Sequence, residues 1–409
     1  MLRFLTAGES HGRELVVIVD GVPSGLSLDF GALARELRRR QGGYGRGRRM
    51  SIDADVAVVI GGIRRGRTTG APIALSIENR DWVNWEFTMH PDAEPPAGAG
   101  GARRAPLTRP RPGHADLAGA IKYGHGDLRD VLERASARET AARVAAGAVA
   151  RQILAQVSIA ISSHVVAIGP IDAVASAVAF DRIAALPDDS PTRCVDGRAA
   201  ERMIAAIDAA REAGDTLGGA FEVVARGVPA GLGSYAQWDR RLDGRLAQAL
   251  MSIPAIKAVG IGIGPEAARL PGSRVHDEIV FAAADAHTGT ATFPFTRPTN
   301  NAGGLEGGVT NGQDLRLTAY MKPISTLMSP LRSVDLATRE EGPAAIERSD
   351  VCAVPAASVV GEAMVALVLA DALLDRFGGD SIADLRQRHE EWRRQLHDRF
   401  SDPPAAATP

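Results

Sequence analysis

Two short segments pair a histidine with glycine and charge: Glu9-Ser10-His11-Gly12, and Arg109-Pro110-Arg111-Pro112-Gly113-His114-Ala115-Asp116. Imidazole gives and takes protons near neutral pH, so each is a candidate acid–base group. In the second segment the prolines stiffen an extended approach and Gly113 permits a sharp turn, so Arg111 and His114 can face one anion. The plainer reading makes both histidines loop residues and Asp116 the N-cap of a following helix. His125 reads as a polar turn residue.

Twelve residues, RRRQGGYGRGRR from Arg38 to Arg49, concentrate arginine beside glycine. Guanidinium groups on a flexible backbone can converge on phosphate or carboxylate, each offering a planar fork of donors. Alternatively, Arg38, Arg39 and Arg40 merely offset the dipole of a helix C-terminus, with Arg39 at an exposed helix end, and the rest is a solvated loop. An RNA-binding segment ranks well below both, because it needs stacking aromatics and only Tyr44 lies inside.

Four further segments carry polar chemistry. Arg134-Ala135-Ser136-Ala137-Arg138-Glu139-Thr140 reads as a helix start, whose free N–H groups suit a phosphate; Ser136 and Glu139 make a capping-box pattern. The glycines of Asn300–Gly312 let backbone approach a ligand closely, or make a simple hairpin. Met321-Lys322-Pro323-Ile324-Ser325-Thr326 holds one of only three lysines in the chain beside two hydroxyls. Arg348-Ser349-Asp350 leads charge into an apolar run, as a site or as a structural ion pair. Val259–Pro265 (VGIGIGP) imitates a dinucleotide fingerprint, but Pro265 occupies the place of its third glycine. No Walker A pattern or zinc-ligand array is present, and no metal is expected.

The elements that must position these residues follow from periodicity and breakers. Leu28–Arg40, with Asp29 as N-cap, Ala137–Val157, Arg198–Ala213, Arg240–Met251, Val359–Phe377 and Ile382–His397 read as helices. Leu15–Val22, Ala54–Ile60, Ala71–Ile77, Gly219–Gly227 and Ala258–Ile263 read as strands. Helix and strand do not alternate regularly, which predicts an α+β fold. No composition break divides the chain, so residues 1–397 are expected to form one domain and 398–409 a disordered tail. Residues 91–112 are rich in Pro, Gly, Ala and Arg, and their part PPAGAGGARRAP, 95–106, reads as a surface loop.

With 409 residues, 45% of them hydrophobic, and a net charge of -2, the chain can build a large core and has no global field for nucleic acid or membrane. Its two cysteines, Cys194 and Cys352, fit a reducing, cytoplasmic setting. The N-terminus lacks a signal-peptide pattern, and Glu362 and Asp371 interrupt the most apolar stretch; a soluble, unprocessed protein is expected.

In this order, GESHG at 8–12, the arginines Arg40, Arg46 and Arg49, RPGHAD at 111–116, RASARET at 134–140, NNAGGLEGGVTNG at 300–312, MKPIST at 321–326 and RSDVCAVPAA at 348–357 resemble the chorismate synthase family. The resemblance covers about residues 1–375 and is specific as a set. It implies a β-α-β sandwich with long central helices between antiparallel sheets, a homotetramer, reduced FMN as cofactor and 5-enolpyruvylshikimate 3-phosphate (EPSP) as substrate. It further implies that Arg134, Ala135, Ser136, Pro254, Ala255, Gly307, Lys322, Pro323, Ile324, Ser325, Thr326 and Arg348 line the flavin. Arg40, Arg46, Arg49, Arg111 and Arg138 would hold the phosphate and carboxylates of EPSP; for Arg40 and Arg46 a pyridine nucleotide such as NADP stays open.

His11, His114 and Asp350 match the family's acid–base positions: His11 to protonate departing phosphate, His114 to serve the flavin near N1, and Asp350 to help accept a proton by way of N5. Two positions depart from the family pattern. Ala135 stands where part of the family has Ser, and Pro254 where Asn or Gln is frequent. The insertions of the fungal type, which reduces its own flavin, are missing, so an outside source of reduced FMN is expected. A redox flavoenzyme with net hydride transfer is the alternative enzyme class.

Overall fold

The structure, a computed structural model, describes residues 1–47, 55–95, 97–101, 105–173, 177–281, 295–347 and 349–401. Nine strands make its two main sheets. The first is antiparallel, in the order β1 (Arg3–Ala7), β2 (Glu14–Asp20), β4 (Ile73–Glu78), β3 (Ala57–Gly61). In β2, Leu15, Val17 and Val19 face inward at 1% exposure while Ile18 faces out. That is the period-two pattern of a half-buried strand. The second sheet has the order β8 (Ile256–Ile261), β9 (Leu315–Met321), β7 (Gly219–Arg226), β5 (Ala160–Ile168), β6 (Ile171–Asp172), again antiparallel.

The longer helices are α1 (Phe30–Gln41), α2 (Asp116–Tyr123), α3 (Arg129–Ala135), α4 (Thr140–Ala155), α5 (Gly197–Glu212), α6 (Leu242–Met251), α7 (Val354–Phe377) and α8 (Ile382–Ser401). Helices α4 and α7 pack on each other in the middle; α4 faces the first sheet and α7 the second. This is the β-α-β sandwich of an α+β protein. One apolar core runs through all layers, from Leu2 to Leu385. Among the described residues only α7 is long and apolar enough to cross a membrane, and it lies buried in this core.

Asp29 caps α1 as read: Ala32 N donates to its Oδ1 at 3.0 Å. Five expectations need correction. The single helix 137–157 is a 3₁₀ turn, Ala137–Glu139, followed by α4. Ser136 Oγ accepts from Arg138 N at 3.3 Å, but Glu139 turns to Arg143 (2.9 Å) instead of completing a capping box. Asp116 is not an N-cap; it lies in the first turn of α2, with its carboxylate turned to Arg111 and His114.

Arg39 is not exposed. It forks onto Glu362 of α7 through two bonds of 2.8 Å and also bonds Glu36 (2.7 Å). Arg151 and Arg193 reach the same Glu362 carboxylate, at 2.6 and 3.0 Å. Burial opposes this carboxylate's charge, yet the three arginines hold it well below the usual carboxylate range. Finally, α8 runs to Ser401, past the expected boundary at 397; residues 402–409 lie outside the described part.

Candidate active site

The loop between β1 and β2 carries Glu9, Ser10 and His11. Gly8, at φ +100°, opens it, and a Cβ there would meet Glu14 O at 2.3 Å, so only glycine fits. Asn79, at the end of β4, pins the loop by donating to Gly12 O (2.7 Å) and Glu9 O (3.1 Å). From α3, Glu133 O accepts from Ser10 N (3.0 Å) and Glu133 Oε2 from His11 N (2.8 Å). His11 Nδ1 lies 2.9 Å from both oxygens of that carboxylate. Trp85 stacks on the imidazole, with centroids 3.8 Å apart and planes at 18°. Ser136 Oγ donates to Ser10 Oγ at 3.1 Å, which places the start of RASARET against this loop. Arg134 bonds Thr6 and Gly8 of the same hairpin, so its guanidinium holds backbone in place.

Beside this loop the arginines converge. Arg138 Nη1 and Arg40 Nη1 reach the two oxygens of one buried carboxylate, Asp55, at 2.5 and 3.3 Å. Arg138 Nε bonds Asn79 Oδ1 (2.9 Å), and Arg40 bonds Thr140 Oγ1 (2.9 Å) and Ala137 O (3.1 Å). Arg46 Nη1 pairs with Asp350 at 2.8 Å, and the other Asp350 oxygen accepts from Gly47 N at 2.7 Å. Burial lowers Arg40 to about 10; Asp55 and Asp350 pull it up, while Arg138 and Arg46 push it further down. Among the described residues, Arg40 and Arg138 thus share Asp55, and Arg46 holds Asp350. Arg49 and Arg348 lie outside the described residues.

A second group forms around RPGHAD. Asp116, 2% exposed, accepts from Arg111 Nε (2.9 Å), Arg111 Nη2 (3.1 Å) and Arg111 N (3.0 Å). His114 Nδ1 is 2.5 Å from Asp116 Oδ1 and 2.9 Å from Arg111 Nη2. Nδ1 cannot be donor to one and acceptor from the other; it donates its N–H to the anionic carboxylate, which accepts. Burial works against the Asp116 charge, but the bonds from His114 and Arg111 keep it far below the usual range. Arg111 Nη1 also donates to Thr326 Oγ1 (3.1 Å), so MKPIST lies against this group. There Lys322 Nζ bonds Ser325 Oγ (3.0 Å), and Lys322 N bonds Ala255 O (2.9 Å). Burial, with Lys257 nearby, lowers the Lys322 ammonium.

Ala255 follows Pro254 at φ +69°, a left-handed conformation that costs a β-carbon residue about 1–2 kcal/mol. Thr216 Oγ1 holds Ile324 O at 2.7 Å, just after Pro323. Gly307 turns the hairpin between Leu305–Glu306 and Val309–Thr310, which packs on the start of α6 through Leu242 N and Gly308 O. The segment is therefore both hairpin and ordered loop. Glu133, Trp85, Arg129, Asn79 and Asp55 went unread in the sequence. Glu133, Trp85, Asn79 and Asp55 lie far along the chain from the site residues they hold, and Arg129, though four residues before Glu133, acts on the site through it.

Fold and site together define an enzyme for a small polyanion. Arginines and two carboxylate-bound histidines are set at the rim of an α+β sandwich. The family model described as chorismate synthase matches residues 2–374. A chorismate synthase of Moorella thermoacetica is 57% identical over 97% of this chain and 100% of its own length. One of Geobacter sulfurreducens is 53% identical over 95% and 98%. A crystal structure of a chorismate synthase superposes with a TM-score of 0.74 at 42% identity, covering 97% of this chain and 98% of the other. The chain belongs to the chorismate synthase family. Its reaction is the last step of the shikimate pathway, a 1,4-anti elimination of phosphate from EPSP that yields chorismate, and as an enzyme it is a phosphate-eliminating carbon–oxygen lyase.

Proposed function

We propose that the chain performs this elimination with reduced FMN, as a monofunctional enzyme fed by an outside flavin source, in a cytoplasmic homotetramer. The observation that supports the substrate assignment is the convergence of three guanidinium groups, Arg40, Arg46 and Arg138, beside the His11 loop. A ligand with one phosphate and two carboxylates would suit such a cluster, and exclusion of water strengthens each contact. Arg49 and Arg111 complete the proposed anion set.

The donors around Gly113 fit a flavin. A Cβ on Gly113 would lie 3.4 Å from Ser325 Oγ and 3.6 Å from Lys322 Nζ. A cation and hydroxyls thus meet a backbone bare of side chain, as a phosphate-bearing planar ligand needs. Lys322, Pro323, Ile324, Ser325, Thr326, Pro254 and Ala255 would hold it, with Arg134, Ala135, Ser136, Gly307 and Arg348. Ala135 offers no hydroxyl and Pro254 only its backbone carbonyl. Held by these residues in reduced form, FMN would supply the electron that makes phosphate a feasible leaving group, with no net redox change.

The protein's own groups manage protons. His11 gives one to the departing phosphate, His114 holds one at the flavin edge, and Asp350, tethered by Arg46, helps accept the one lost from C6. The test is anaerobic incubation with EPSP. Photoreduced FMN should give phosphate release without stoichiometric flavin oxidation. NADPH with oxidised FMN and no reductase should give none. Stoichiometric flavin oxidation would favour a hydride-transfer enzyme, and turnover with NADPH alone would end the monofunctional reading.

A further inference from the structure

We propose that Glu133 is the positioning residue of His11, and that Arg129 and Trp85 complete the mount. The inference rests on the reading of His11 as the proton donor to phosphate. Glu133 has a side chain with no exposure, while that of His11 keeps 12%. The carboxylate is the deeper partner, and the imidazole is the one that meets the site. One carboxylate does two jobs at once: it takes the backbone N–H of His11 at 2.8 Å and faces Nδ1 with both oxygens at 2.9 Å.

A carboxylate accepts only, so Nδ1 must carry a hydrogen in either protonation state. Exchange with a substrate oxygen then has to pass through Nε2. When phosphate leaves with the electron pair of its C3–O bond, the proton moves from Nε2 to a phosphate oxygen. The imidazole ends neutral, in the tautomer that the Glu133 carboxylate dictates. Arg129, 6% exposed, stands 3.5 Å from Glu133 Oε1 and offsets the charge of the carboxylate. Its guanidinium also lies 5.2 Å from the Trp85 ring centre, and Trp85 in turn stacks on His11. Rotation of the imidazole about its own axis is blocked by the stack, and sliding is blocked by the backbone bond to the same carboxylate. His114 and Asp116 repeat the Nδ1–carboxylate contact at the other group.

Glutamine at 133 removes the charge and replaces one acceptor oxygen by an N–H donor with little change of shape, so a single neutral oxygen must serve both N–H groups of His11 while the amide NH2 faces Nδ1 and favours the other tautomer. The experiment compares Glu133→Gln, His11→Ala and the double variant in single-turnover phosphate release, with KM for EPSP and the ¹⁵N spectrum of the His11 ring in the flavin-free protein. Glu133→Gln should slow release tenfold or more, leave KM within about threefold, and shift the ring toward a mixture of tautomers. The double variant should be no slower than His11→Ala, because Glu133 acts through His11.

Independent, multiplying losses, or an unchanged tautomer, would overturn the proposal. Normal release in Glu133→Gln with slow release in His11→Ala would overturn it and leave His11 as donor. Normal release in His11→Ala would bring down the donor reading itself. If Glu133→Gln fails to fold, Glu133→Asp keeps the charge at a shorter reach and should lie between wild type and His11→Ala in rate. A rate at wild-type level in that variant would count against the proposal.

Discussion

Arg39 and Arg46 stand seven residues apart in one arginine-rich segment and meet different partners: Arg39 binds Glu362 of the central helix, and Arg46 binds Asp350 beside the site. Arg39 is the near partner of a carboxylate on the central helix, and opposing charges at Glu362 and Glu36 raise it despite burial. Arg39→Ala should therefore lower stability by about 3–5 kcal/mol, because buried Glu362 loses a charge partner. Its affinity for EPSP should stay near wild type. Arg46→Ala should behave in reverse, losing about 2 kcal/mol of EPSP binding, roughly 30-fold, with a small change in melting. Calorimetric titration alongside thermal unfolding checks both; equal binding losses would mean that the segment is a diffuse charged surface. Asp116 gives a pH test. Its folded-state acidity is stronger than that of the unfolded chain, so its ionisation stabilises the fold above the unfolded value of about 3.9. That stabilisation fades as pH falls through the lower, folded value. Asp116→Asn should melt earlier than wild type at pH 6, and the gap should narrow below about pH 4. A gap that is constant down to pH 3 would show that the Asp116 charge contributes nothing.

At the scale of elements, the sandwich depends on how closely α4 and α7 approach. Gly147 of α4 faces Ala363 of α7, and a Cβ on Gly147 would come within 2.3 Å of the Ala363 Cβ and 2.5 Å of its Cα. Alanine ordinarily favours a helix over glycine by about 1 kcal/mol. Here Gly147→Ala should instead destabilise by about 1–3 kcal/mol, since two backbones must part. Urea unfolding measures it. A stabilised variant would mean that the two helices separate without penalty. Because α3 and the 3₁₀ turn lead straight into α4, a shift of α4 also moves Arg138 and Ser136. Weaker EPSP binding should accompany the lost stability.

At the scale of the molecule, the outer face of the first sheet is unusual. Leu5, Ile18, Val58 and Ile60 project from it at 73%, 42%, 57% and 63% exposure. A row of large apolar side chains on an open sheet marks a surface that another surface covers. The proposed homotetramer supplies one. Ile60→Asp should give a smaller species in light scattering, with its fold intact by circular dichroism. An unchanged tetramer would place its contacts elsewhere on the chain.

By itself the sequence determined the family, the α+β class and most of the elements, because these rest on local spacing: apolar period, caps and motifs. Strand β5 escaped because it is covered on both faces, so no alternation marks it. The ordered motifs likewise put forward His11, His114 and Asp350 as candidate acid–base groups and Arg46 as a candidate anion binder. What each of them touches only the tertiary structure decided. Arg39 is buried because α1 crosses α7, a contact 323 residues apart in the chain. Glu133 meets His11 because α3 folds back over the β1–β2 loop, 122 residues away. A hydrogen bond is formed by atoms within about 3 Å, whatever their distance along the chain. Local spacing can thus announce that a histidine has chemistry to do, and only the fold selects the carboxylate that holds it.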